Sequence, residues 1–228
     1  MTLSSKRGDS LELKAYEYVK KRIMSRIYAP GQKILDSKIA AELNISRTPV
    51  RDALRLLEHE GFLVGQSGKG WNVYALTLED IHEIFDVKVE LEGMLARKAA
   101  ACADKKLRRQ LKNALEGMTA AGKAKDNETW RKNDLELHRT MLAMADNKRA
   151  ARIINDLNDQ WYRVRIGLVA MEGRVHRSNL EHTAFVESIL SGNGEDAEHQ
   201  MRSHLNNLRQ EIVNILVNLV FPFAQNGI

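Results

Sequence analysis

The stretch Asp36-Ser-Lys-Ile-Ala-Ala-Glu-Leu-Asn-Ile-Ser-Arg-Thr-Pro-Val-Arg-Asp-Ala-Leu-Arg-Leu-Leu, ending at Leu57, constrains this chain more than any other. It reads as two short helices joined by a tight turn. Asp36 is an N-cap candidate, because its carboxylate can accept from the free N–H groups of a first turn. Ile39, Ala40 and Leu43 form one apolar face. Asn44 stands where that helix must stop, and Asn tolerates the left-handed conformation a C-terminal turn needs. Ser46 is placed to cap a second helix, with Pro49 in its first turn, where a missing N–H costs little. Val50, Ala53, Leu54 and Leu57 point inward on this helix. Arg47, Thr48, Arg51 and Arg55 do not. A helix whose N-terminal half offers arginines and a small hydroxyl on its outer face suits a DNA major groove.

The flanking residues extend the pattern. Leu11, Ala15, Tyr18, Val19, Ile23 and Ile27 recur at helical spacing, which predicts a helix to about Tyr28 after a loose, polar Met1–Ser10 segment. Ala29-Pro30-Gly31 ends it. Gly61 closes the second helix of the pair. Phe62-Leu63-Val64 and Trp71-Asn72-Val73 flank Gly65-Gln-Ser-Gly-Lys-Gly70, so a hairpin is expected there, with Gly68 and Lys69 at its tip. Charge follows the same boundary. Met1 to Thr77 holds 13 Lys+Arg against 8 Asp+Glu, which accounts for the whole net charge of +5. Phosphate contacts supply most non-specific DNA affinity, so an excess of positive charge confined to this segment fits a nucleic-acid partner.

After Val73 the pattern is helical throughout. Thr77-Leu-Glu-Asp80 resembles a capping box and opens a second domain, so the domains are expected at 1–76 and 77–228. Apolar periodicity predicts helices carried by Ile81 to Ala99, by Leu107 to Met118, and over 127–145, 148–169, 178–191 and 195–220. Six helices with short connections suggest an antiparallel bundle. The fold class is therefore mainly α: a winged helix-turn-helix with a small β-hairpin, then an all-α bundle. Cys102 is the single cysteine and is expected to be a small helix residue; with no internal disulfide available, a reducing cytoplasm fits. The segment from Ile212 to Phe223 is too short, and too broken by Asn214 and Asn218, to span a bilayer. No secretory signal is apparent, and no membrane partner is expected.

The run Ile45-Ser-Arg-Thr-Pro-Val-Arg-Asp-Ala-Leu-Arg-Leu-Leu-Glu, with Glu60-Gly61-Phe62-Leu63 and Gly68-Lys69-Gly70, resembles the DNA-binding domain of the GntR family of bacterial transcription regulators. Val89-Glu90-Leu91-Glu92, Asn133-Asp134-Leu-Glu-Leu-His138, Glu181-His182 and Met201-Arg-Ser-His204-Leu205 resemble the all-helical FCD ligand-binding domain of the FadR subgroup. Together the two resemblances cover nearly the whole chain. The first implies DNA contacts from Ser46, Arg47, Thr48, Arg51 and Arg55, and from Gly68 and Lys69 in the wing.

The second implies a metal site. Asp134 and His138 are four apart and share one helix face. Taken alone, that spacing is common on solvated helices and means little. The resemblance adds His182 and His204 from two later helices. Three imidazoles and a carboxylate suit a divalent transition metal such as Zn²⁺, Ni²⁺ or Mn²⁺. In the resembling subgroup such a metal lies beneath a small-molecule cavity, where it can take the carboxylate of an organic acid. Lys88, Arg163 and Arg165 are the candidate effector cations, and only one of Arg163 and Arg165 can point inward. The family usually has Arg at the position of Lys88, and Lys lacks the bidentate fork. His59 is expected to end the second helix of the pair and to favour its C-terminal dipole, and His82, His176 and His199 are expected on solvated faces.

The expected function is a homodimeric transcription regulator that binds a near-palindromic double-stranded DNA operator and is controlled by a small carboxylate effector. Alternatives are a regulator for which the metal itself is the signal, a helical bundle without an effector, and a metal-dependent hydrolase. The hydrolase lacks an obvious general base beyond Glu136 and Glu181. An acyl thioester effector fits poorly with the metal-ligand set.

Overall fold

The computed structural model of the chain describes the backbone of residues 3–66, 70–168, 173–215 and 217, and the side chains of 11–65, 70–161, 173–214 and 217. The chain divides into two compact units, Met1–Thr77 with Gln160–Arg163, and Leu78–Asp159 with Val164–Ile228.

In the first unit, α1 (Leu3–Met24) buries Ala15, Val19 and Ile23, which share one stripe of the helix. Helix begins at Leu3, within the segment expected to be loose; no proline interrupts it, and Lys6 and Arg7 are good helix formers. It ends at Met24, short of Tyr28, because Arg26 turns left-handed at φ 59°. The Tyr28 N–H then bonds back to the Arg22 carbonyl at 3.0 Å, and Tyr28 is buried. The paired helices are α2 (Asp36–Leu43) and α3 (Arg47–His59). Asn44 between them is left-handed, at φ 53° and ψ 50°. The N-cap of α2 is Leu35; Asp36 lies inside the first turn and does not cap it, since its carboxylate is engaged by two arginines of α3. Ser46 holds the extended N-cap position of α3 without a side-chain capping bond. Gly61 takes φ 77° just past α3, a conformation glycine adopts without penalty.

The hairpin forms from β2 (Leu63–Gln66) and β3 (Gly70–Val73), in the register Leu63↔Val73 and Gly65↔Trp71. A third strand, β1 (Lys33–Ile34), pairs antiparallel on the other side of β3, giving the order β1-β3-β2. Two residues are too few to show an alternating pattern, which is why the sequence does not announce this strand. Val50, Ala53, Leu54 and Leu57 of α3 close the core with Ile34, Phe62 and Val73.

Among the described residues the second unit holds α4 (Leu78–Ala100), α5 (Lys105–Lys123), α6 (Asn127–Ala145), α7 (Lys148–Leu168) apart from Gln160–Arg163, α8 (Arg174–Ser191) and α9 (Gly194–Ile215). Asp104 and Asp126 cap α5 and α6, each accepting from two backbone N–H groups of the following turn. Cys102 lies just beyond α4 and is half-buried, rather than inside a helix. The expected extension of α9 to Val220 falls largely outside the described residues. Helices α4 and α9 pack together, as do α5 and α6, and α8 and α9. Asp86 pairs with Arg209, Glu90 with Arg202 and Arg97 with Glu198, so one sequence rises as the other falls and α4 and α9 run antiparallel. Leu95, Leu111, Met118, Leu137, Met141, Phe185, Ile189 and Met201 fill the interior. Against this apolar core, Lys88, Glu92, Asp134, Arg174, His182 and His204 are also buried. Charges are rarely buried unless paired, and these mark the candidate site.

Candidate metal centre and nucleic-acid interface

In the first unit, Ser46, Arg47, Thr48, Arg51 and Arg55 are all exposed along α3. Their outward orientation follows from the apolar stripe on the opposite side. Arg47 donates from Nη2 to both carboxylate oxygens of Asp36, each at 3.0 Å, and from Nε to Oδ2 at 3.3 Å. Arg51 Nε lies 3.0 Å from the same Oδ2. Arg55 faces Asp52 at 3.5 Å. Below them, Glu58 ties the hairpin to α3. Its Oε1 accepts from the Gly65 N–H and its Oε2 from the Trp71 indole N–H, both at 2.9 Å. One carboxylate thus holds both strands of the wing. Gly68 and Lys69 at the tip lie outside the described residues.

In the second unit, α6 supplies Asp134 and His138, α8 supplies His182 and α9 supplies His204. The donor atoms of the three histidines all lie within 4.8 Å of one another. His138 Nε2 and His182 Nε2 are 3.2 Å apart. Asp134 Oδ1 is 3.0 Å from His182 Nε2 and 3.6 Å from His138 Nε2. Phe185 walls the cluster, with ring centroids 5.1 Å from His182 and 5.8 Å from His204.

Each imidazole also has an acceptor on its Nδ1 side. His182 Nδ1 is 2.7 Å from the Ser178 carbonyl, His204 Nδ1 is 2.8 Å from Glu181 Oε2, and His138 Nδ1 is 3.5 Å from Glu92 Oε2. Placing the ring proton on Nδ1 leaves the Nε2 lone pair free, the form in which histidine binds metals. Burial pushes the His182 imidazole below the usual histidine range and His204 down to about 3, so both are neutral at ordinary pH. Two Nε2 lone pairs and a carboxylate oxygen crowded together repel one another unless a proton or a cation lies among them. The donor set fits a first-row divalent metal.

A ring of charges surrounds this cluster. Lys88 Nζ is in contact with Glu92 Oε1 and bonds to Asn158 Oδ1 at 2.6 Å. Burial alone would raise the Glu92 carboxyl, but the adjacent Lys88 charge and His138 hold it well below the usual carboxylate range. Burial likewise acts to raise Glu181, but the contact with His204, the Asn207 hydrogen bond and the Arg174 charge together outweigh it and hold the carboxyl below its usual value. Arg174 is itself buried; its Nε lies 3.0 Å from Glu211 Oε2 and its Nη1 lies 3.7 Å from Glu181 Oε2.

Lys88 therefore reaches the histidine cluster through Glu92 and carries a charge that the protein already balances. The side chains of Arg163 and Arg165 lie outside the described residues. The sequence named Glu92 only within a resembling segment and Glu181 only there and as a possible general base, gave neither a role in supporting a histidine, and did not single out Arg174. The only available signals were the i,i+4 spacing of Lys88 and Glu92 and the adjacency of Glu181 to His182. His59, His82, His176 and His199 are exposed and apart from the cluster.

Comparison with known proteins follows the same division. Residues 11–73 match the bacterial regulatory proteins of the gntR family, and residues 83–207 match the FCD domain. The chain is 26% identical over 206 residues to the HTH-type transcriptional regulator YdhC of Bacillus subtilis, covering 90% of this chain and 92% of that one. It is 32% identical over 143 residues to the gluconate operon transcriptional repressor of Bacillus subtilis, covering 63% of this chain and 58% of the repressor. The structure of E. coli McbR/YncC has the same fold, with a TM-score of 0.73 at 18% identity, over 91% of this chain and 99% of that one. Family and relatives are transcription regulators rather than enzymes. Among the described residues no helix is long and apolar enough to cross a membrane. With a helix-turn-helix and wing in one unit and an FCD bundle in the other, the chain belongs to the GntR family of bacterial regulatory proteins and is a DNA-binding transcription regulator.

Proposed function

We propose that this regulator senses a small organic acid at a divalent transition metal held by Asp134, His138, His182 and His204. The observation that carries the reading is the convergence of three imidazoles from α6, α8 and α9, with donor atoms within 4.8 Å of one another and each Nδ1 facing its own acceptor. A bound cation with open positions supplies Lewis acidity toward a carboxylate. The protein's own residues do the rest. Ser178 and Glu181 set the tautomers of His182 and His204, and Glu92 orients His138 while Lys88 balances its charge. Phe185 keeps one side of the cluster dry. Arg163 and Arg165 are candidates to meet the far end of the acid. The gluconate operon repressor is named for an operon of a hydroxy-carboxylate, which accords with this effector class.

Zn²⁺, Ni²⁺ and Mn²⁺ all suit the donors. The DNA side of the proposal is a homodimer whose two α3 helices enter successive major grooves of a near-palindromic operator. Arg47 and Arg51 meet base edges, Ser46, Thr48 and Arg55 the backbone, and Gly68 and Lys69 the neighbouring groove or phosphates. Effector binding shifts the population of dimer geometries, and only one geometry matches the operator spacing.

Metal content by plasma mass spectrometry, on untagged protein purified without chelators, tests the centre. About one transition metal per chain is expected. It should be lost in a His138→Ala/His182→Ala variant that remains folded. Small carboxylates, gluconate and citrate among them, should then raise the thermal midpoint of the loaded wild type only. Protein that takes up no Zn²⁺, Ni²⁺ or Mn²⁺ from excess would overturn the metal-anchored reading and leave the DNA-binding assignment intact.

A further inference from the structure

The helix before the DNA-facing α3 carries an acid against it, on a face where a negative charge opposes attraction to phosphate. Asp36 belongs to a segment with all the chain's excess positive charge, and it is 8% exposed beneath two arginines that are themselves exposed. It does not cap α2. Its two oxygens instead hold Arg47 through Nε and Nη2, and its Oδ2 also lies 3.0 Å from Arg51 Nε. Arg47 and Arg51 are four apart on α3, one turn above the other, so a single carboxylate from α2 fixes both.

We infer that Asp36 is a positioning residue for sequence reading: it orders the two guanidinium groups before DNA arrives. A free arginine side chain samples many rotamers, and ordering it on binding costs affinity. The carboxylate takes the Nε side of Arg51 and the Nε and Nη2 side of Arg47, which leaves outward N–H groups on both. Reading a guanine takes donors aimed at both O6 and N7, a geometry that a guanidinium held in one orientation supplies. A phosphate contact demands only charge. Asp36 thus trades general attraction for discrimination. It removes one unit of positive charge from the groove-facing surface and fixes the direction of what remains. The inference rests on Arg47 and Arg51 reading bases, as in the proposed function.

The test uses the full-length protein and two duplexes. One is a sequence enriched from a random library by the wild type, and the other a shuffled duplex of the same composition. Asp36→Asn keeps the shape and removes the charge. The expected result is stronger binding to the shuffled duplex and a ratio of selected to shuffled affinity about tenfold lower, the scale set by one misdirected bidentate contact. The slope of log affinity against log salt should steepen by about one, as a released arginine finds a phosphate. Asp36→Glu, which keeps the charge, should restore part of the ratio.

In the free wild-type protein, the Nε–Hε groups of Arg47 and Arg51 should show the fast-timescale rigidity of ordered groups by NMR relaxation. This readout requires no variant to fold. Two results would overturn the inference: Nε groups as mobile as those of other exposed arginines, or an unchanged affinity ratio in a folded Asp36→Asn protein, which, if both affinities rise equally, would make Asp36 only an electrostatic brake. Arg51→Ala separates the two readings. If it leaves the ratio intact, base reading by Arg51 has failed; if it lowers the ratio while Asp36→Asn does not, only the role of Asp36 has failed.

Discussion

Lys88 and Glu92 form an ion pair with side chains 3% and 2% exposed, and removing one partner has a cost that can be bounded. In Lys88→Met most of the aliphatic volume remains, so the change is mainly electrostatic. Glu92 is left buried without its cation. It then either stays charged, at a large desolvation cost, or takes up a proton. Protonation sets the ceiling. Starting from the ordinary glutamate value of 4.5, neutralising the carboxyl at pH 7 costs about 3 kcal/mol, and at pH 5 less than about 1 kcal/mol. The sign is therefore fixed. In the variant the folded pKa of Glu92 lies above its unfolded value, so the penalty appears as pH rises and fades as pH falls.

Urea unfolding of metal-free protein, followed by far-ultraviolet circular dichroism, should show Lys88→Met destabilised by up to about 3 kcal/mol at pH 7 and far less at pH 5. Adding Glu92→Gln should recover most of the loss, because both charges are then gone. An equal penalty at both pH values, or no recovery in the double variant, would refute the reasoning.

Two other outcomes follow from the same geometry. In metal-free protein, His204 is held neutral down to about 3 while the unfolded chain takes a proton near the ordinary 6.5. That contribution to stability is present above 6.5 and lost as pH falls; between pH 7 and 5 it amounts to about 2 kcal/mol, and His204→Gln should flatten the pH dependence of the thermal midpoint. In the wing, a Cβ at Gly65 would meet Glu58 Oε1. Gly65→Ala should displace that carboxylate, shift the Trp71 fluorescence and weaken binding to the selected duplex, and a variant with wild-type emission and affinity would refute the role of Glu58 in holding the wing.

The helices were legible in the sequence because each buries a continuous apolar stripe and ends at a recognisable turn residue. Asn44, left-handed at φ 53°, and Gly61, at φ 77°, sit where local chemistry requires them. The stretch that misled is as instructive. Asp36 has the composition of a cap at the right distance from the following apolar face, and local rules see no competitor for its carboxylate. The competitors, Arg47 and Arg51, belong to the next helix. A side chain that could serve its own helix was recruited across the turn, because two guanidinium groups offer charged hydrogen bonds where a cap offers two neutral N–H donors.

The same reason limits what the sequence shows of the histidine cluster. Asp134, His138, His182 and His204 could be given a role through a resemblance, but the supporting role of Glu92 and Glu181, which lie in the same resembling segments, could not. Glu92 and Glu181 occupy helix positions that, by type, belong to solvent. Each becomes tolerable in the interior only through a partner: Lys88 from the same helix and His138 from α6 for Glu92, and His204 and Arg174 for Glu181. Pattern reading assigns each residue from its neighbours along one helix, whereas a buried charge is stabilised by neighbours in space. A buried acid therefore becomes visible only when the helices are assembled. Once it is, it identifies the atom it supports: Glu92 marks His138 Nδ1, and Glu181 marks His204 Nδ1. Both imply that Nε2 is the nitrogen each ring presents to the cluster.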